Sequence, residues 1–66
     1  MEPYQERVIT EQKELAEKIV KLTTFITDIT KVKVMAEEEW KRLSLQLETM
    51  TEYNFILVMR IRNFKE

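Results

Sequence analysis

Apolar residues recur along this chain at helical spacing, in two blocks separated by a threonine-rich stretch. In the first block Val8, Leu15, Leu22 and Ile29 fall seven residues apart, and Ile19, Phe25 and Ile26 widen the seam into a stripe. That period belongs to a helix packed on one side, not to a strand. Glu6, Lys13, Glu14, Glu17 and Lys21 take the other positions and form a solvated face. Glu14 with Lys18 and Glu17 with Lys21 stand in the favourable i,i+4 order, and each pair contributes a few tenths of a kcal/mol. Pro3 suits a first helical position, where a missing N–H costs nothing. The first helix is therefore expected over about residues 4–26.

The second block is more regular. Trp40, Leu43, Leu47, Met50, Asn54, Leu57, Ile61 and Phe64 alternate in steps of three and four residues over more than three heptads. A helix over about residues 36–64 follows. Glu37, Glu38 and Glu39 sit in its first turn, where the helix dipole favours negative charge. Arg60, Arg62 and Lys65 sit near its end, where cations are favoured. Asn54 occupies an apolar site in the pattern. A buried Asn there sets register and oligomer state at a cost in stability; the alternative is a loose, partly wet seam.

Between the blocks, Thr27 to Met35 read as a connector long enough to reverse the chain. Thr23, Thr24, Thr27 and Thr30 weaken helix propensity, and Asp28 can cap a single short turn. Val32, Lys33 and Val34 have β character, but three residues have no strand to pair with. The expected fold is all-α: one domain over 1–66, an antiparallel helical hairpin.

A lone hairpin cannot cover this second helix. Phe55-Ile56-Leu57-Val58-Met59 is apolar all round, so several sides need covering. Chains below ~70–80 residues also struggle to build a sufficient core. Assembly into a symmetric oligomeric helix bundle is expected, a dimer or a larger even-numbered form.

Composition narrows the function. The 66 residues are 44% hydrophobic and 35% charged, with a formal net charge of -1. The chain is too apolar for a disordered tail, and a near-neutral balance argues against binding a DNA or RNA polymer. There is no Cys or His, which removes thiolate chemistry, the commonest general base and the commonest zinc ligand. There is no Gly-rich phosphate loop and no zinc spacing. The chain is expected not to be an enzyme and to need no cofactor. No apolar run approaches the ~20 residues of a membrane span, and the first residues lack the layout of a signal peptide. The cytoplasm of a host cell is the expected location.

Binding is the better prospect. An antiparallel hairpin brings Tyr4 and Arg7 beside Arg60, Arg62 and Phe64, so cations and rings meet at one end. Arg forks match phosphate geometry, and aromatic faces stack on bases. The same residues also have structural roles, as helix-end cations and a first-turn staple. Glu11 and Lys18 fall on the inward side of the first helix. They are read as an intersubunit ion pair, as the lining of a polar cavity, or as chains snorkelling from the seam edge.

Two residue runs also resemble a known family. Tyr4-Gln5-x-Arg7-Val8-x-x-Glu11 with Leu15-x-x-Lys18-x-x-x-Leu22-x-x-Phe25-Ile26 forms the first. Glu38-Glu39, Leu43-x-x-Gln46-Leu47-x-x-Met50-x-x-Tyr53 and Ile56-Leu57-x-x-Arg60-Ile61 form the second. Together they resemble small helical proteins of crAss-like and other phages. In size and layout these are similar to phage sponges that inhibit CBASS or Thoeris immunity. The resemblance implies sequestration, without cleavage, of a cyclic oligonucleotide or a cyclic ADP-ribose-type signal at subunit interfaces. The residues themselves assign Arg7, Arg60 and Arg62 to phosphates and Tyr4 and Tyr53 to a base or ribose. Lys18 and Asn54 would add polar contacts. The rival expectation is a protein-interaction module gripping a host or phage protein with Phe55, Ile56 and Met59. A structural phage protein or a designed bundle is a third, which the irregular connector and Asn54 count against.

Overall fold

The structure is a computed structural model and describes residues 1–64. These residues form three helices in the order α1 (Pro3–Ile26), α2 (Ile29–Val32) and α3 (Glu37–Arg62), with no strand among them. Lys65, expected among the closing cations of α3, lies outside the described residues. The molecule is a rod of 49 × 15 × 14 Å.

Each boundary has a local cause. Pro3 opens α1, and the backbone N–H of Glu2 donates to Gln5 Oε1 at 2.9 Å. Toward the other end the hydroxyls of Thr23, Thr24 and Thr27 donate to the carbonyls of Ile19, Val20 and Thr23, at 2.7, 2.9 and 2.7 Å. Such back-bonding competes with the helical ladder, and α1 stops there without a glycine. Asp28 then caps α2, accepting from the Thr30 N–H at 3.0 Å and the Thr30 hydroxyl at 2.7 Å. These two bonds, the hydroxyl's first, hold the Asp28 carboxyl below its ordinary value. The connector thus holds the single turn expected of it. α3 begins after Ala36 with three glutamates in its first turn. At its far end Asn63 Nδ2 donates to the Met59 carbonyl at 2.8 Å.

Four contacts fix how the long helices lie. The Tyr4 and Phe64 rings meet edge to face with centroids 5.8 Å apart. Tyr53 donates its hydroxyl to Glu11, and Gln12 Nε2 donates to Asn54 Oδ1 at 3.1 Å. Trp40 Nε1 donates to the Ile26 carbonyl at 3.0 Å. As α1 is followed forward, its partners on α3 run backward, so the two helices lie side by side in opposite directions. Val8, Leu15 and Leu57 form the buried core, with Ile19, Met50, Ile61 and Phe64 against it. Among the described residues Leu57 alone is wholly removed from solvent.

The seam of α3 follows the expected pattern, but that of α1 needs correction. Its inward residues are Gln5, Val8, Gln12, Leu15, Ile19, Leu22 and Ile26, all buried or half-buried. Ile29, expected to continue the stripe, is 71% exposed. The helix breaks before it, so the phase is lost. Glu11 and Lys18 are exposed rather than inward. The ion pairs also differ from expectation. Glu14–Lys18 and Glu17–Lys21 do not form; Lys41–Glu37 at 3.6 Å, Arg42–Glu39 at 3.1 Å and Lys31–Asp28 at 3.9 Å do. Exposed pairs gain little over the entropy of two long side chains, so spacing alone does not decide which form.

Candidate ligand-binding site

The seam has two flanks. On one, the residues just before Gln5, Gln12 and Ile19 are Tyr4, Glu11 and Lys18. Facing them, just before Leu47, Asn54 and Ile61, are Gln46, Tyr53 and Arg60. The Tyr53–Glu11 hydrogen bond spans this flank and confirms the register. Four of the seven expected ligand residues, Tyr4, Lys18, Tyr53 and Arg60, therefore share one polar flank. They do not form one cluster: Lys18 lies about 21 Å along α1 from Tyr4 at 1.5 Å per residue.

The densest grouping is at the end where α1 starts and α3 finishes. Tyr4 is 49% exposed and edge-on to Phe64. Arg60 and Arg62 occupy the last turn of α3, where they also complement the dipole. Among the described residues neither makes an ion pair. The two arginines straddle Ile61, so they address opposite flanks. Arg7 stands on the outer face of α1, in a depression lined by Pro3, Glu6, Thr10, Glu11 and Glu14. Glu6, Glu11 and Glu14 line the same depression, and their negative charge weakens the pull of Arg7 on a phosphate.

Tyr53 is 42% exposed, and its hydroxyl is engaged by Glu11. Asn54 is half-buried and bonded to Gln12, so its amide oxygen already has a partner. Gln5 and Gln12 were missed at the sequence level. Both sit in the seam of α1, and Gln5 is 6% exposed. A seam traced through apolar residues alone passes over them; the three-four spacing, run through polar residues as well, finds both.

No group of carboxylates that could hold a metal is present among the described residues. Nor is any of their helices long and apolar enough to cross a membrane.

These features define a class: a small all-helical protein with cations and aromatic rings gathered at one end of a long polar flank. The Sequestin family model matches residues 2–63. The chain belongs to the Sequestin family, whose name denotes sequestration. Neither a curated protein nor a solved structure matches it.

Proposed function

We propose that this protein is a phage-type sponge. It binds a small nucleotide immune signal, a cyclic oligonucleotide or a cyclic ADP-ribose type, and holds it intact in the host cytoplasm. The observation that carries this reading is the end-on grouping of Arg60 and Arg62 with the Tyr4–Phe64 rings, in a chain of the Sequestin family. Arg60, on the flank of Tyr4, takes a phosphate and Tyr4 stacks on a base, while Arg62 adds its charge to the same end from the opposite flank. Tyr53 and Lys18 extend the contact along the flank. Arg7 and Asn54 play lesser parts, one set among carboxylates and the other already bonded. The polar flank of one chain is shallow, so a neighbouring copy closes the pocket, and the ligand sits between subunits. No step of bond cleavage is assigned to any residue: with neither His nor Cys, the protein acts by mass balance and not by turnover.

Calorimetry on Arg60→Ala tests the assignment. Removing one charge-assisted contact costs about 1.5–3 kcal/mol, or roughly tenfold to a hundredfold in affinity. Unchanged affinity for the nucleotide that the parent chain retains would remove Arg60 from the site.

A second reading rests on the apolar side chains left open on α3: Phe55 is 61%, Ile56 49% and Met59 41% exposed. In that reading they grip another protein. A stable stoichiometric complex with one protein, together with indifference to every nucleotide, would favour it.

A further inference from the structure

The flank opposite the polar one differs in chemistry. Just after Val8, Leu15 and Leu22 stand Ile9, Ala16 and Thr23; just after Leu43, Met50 and Leu57 stand Ser44, Thr51 and Val58. All six are uncharged, across both helices and most of their length. Val20 and Phe55 rise on the two rims of this strip, 65% and 61% exposed. Charges border the strip on the same rims, at Lys13, Glu48 and Arg62, and stand further out at Glu17, Lys21 and Glu52; Glu17, Lys21, Glu48 and Glu52 line two shallow grooves on this side. An uncharged centre inside a charged rim is the anatomy of a protein interface. The Ser44 hydroxyl is shielded from solvent yet has no hydrogen-bond partner within the chain.

We infer that a second copy of this chain packs on this strip, uncharged flank to uncharged flank, to form a four-helix bundle. The area supports a second copy as the occupant. The chain exposes 5472 Å², whereas a compact monomer of 8.1 kDa exposes about 4,500 Å². The excess of roughly 1,000 Å² is close to the ~800 Å² that each partner contributes to a standard interface. Small residues along the strip let the helices approach closely, and Val20 and Phe55 close the edges. The strip adds a third uncharged position per heptad, apolar at Ile9, Ala16 and Val58 and hydroxyl-bearing at Thr23, Ser44 and Thr51, of the kind a bundle helix uses and a two-helix seam does not. The inference concerns assembly and goes beyond the ligand reading: the polar flank stays open on the far side for its own contact.

Two matched threonines test it. Thr51 lies in the strip and Thr49 on the outer face of α3, and both are exposed in the single chain. Light scattering with native mass spectrometry should find the parent chain and Thr49→Glu assembled, and Thr51→Glu reduced to a smaller species. A monomeric parent, or equal behaviour of the two variants, overturns the inference. If Thr51→Glu fails to fold, hydroxyl-radical footprinting of the parent decides. Phe55 and Leu45 are 61% and 63% exposed in the single chain, and Leu45 points away from the strip. Phe55 should label several-fold more slowly than Leu45 after correction for intrinsic reactivity; equal labelling overturns the inference. Neither readout involves a nucleotide, so failure of the ligand reading leaves both intact.

Discussion

Gln12 and Asn54 meet across the seam of two antiparallel helices, amide to amide at 3.1 Å, where each helix would otherwise carry an apolar residue. The pair stands one turn from the Val8–Leu57 core. A polar pair inside an apolar seam tolerates only the register that joins its members, because every slip leaves both amides unpaired. Each of the two readings of Asn54 keeps a part: it is half-buried, and it is also bonded.

Single replacements of this pair should therefore hurt more than the double. Gln12→Leu or Asn54→Leu alone leaves one amide partly buried without a partner, at a cost of about 1–3 kcal/mol. Changing both to Leu should recover most of that loss, since an apolar pair of similar shape is nearly neutral or stabilising. Urea unfolding of the four variants gives the cycle. A double variant that only adds the two single losses would show that the two amides do not act as a pair.

Leu57 is the centre of the core, 0% exposed. Leu57→Ala should cost about 2–5 kcal/mol, a large share of the stability of so small a domain. Leu45→Ala, at 63% exposure, should cost less than about 0.5 kcal/mol. Thermal unfolding followed by circular dichroism separates the two.

Asp28 makes the connector sensitive to acid. Its carboxyl is held below the ordinary aspartate value, first by the Thr30 hydroxyl and then by the Thr30 N–H. A group with a depressed folded value stabilises the fold above the unfolded value and loses that contribution as pH falls through the folded one. The turn at Ile29–Val32 should therefore loosen below about pH 4. Asp28→Asn should remove that dependence while keeping an amide oxygen for the cap. Amide exchange at Thr30, measured across that range in both chains, checks the sign. An identical acid response in Asp28→Asn would contradict it.

How far the sequence could be read depended on what each residue answers to. Periodicity placed α3 and its seam, because Trp40 to Phe64 keep a single phase from end to end. It located the connector through the threonines and found the Asp28 cap. It failed where one phase was extended across a break, at Ile29, and where only apolar residues were admitted to the seam of α1. Glu11 and Lys18 were then given an inward position that Gln12 occupies. The shared flank of Tyr4, Lys18, Tyr53 and Arg60 depends on the register between two helices. A linear pattern does not contain that register until one cross-helix pair, such as Gln12 with Asn54, is known. The acidic setting of Arg7 was hidden for a related reason. Glu6, Glu11 and Glu14 come to line one depression with Arg7 through helical geometry.

The central claim is that the protein retains a nucleotide signal and returns it unchanged. The most direct measurement is native mass spectrometry of the purified protein with cyclic di- and trinucleotides and cyclic ADP-ribose isomers, followed by denaturation and analysis of the released ligand. We predict an even-numbered assembly carrying one member of the panel, recovered at its original mass. An assembly that ignores the whole panel, or a ligand released as a cleaved product, would contradict the account.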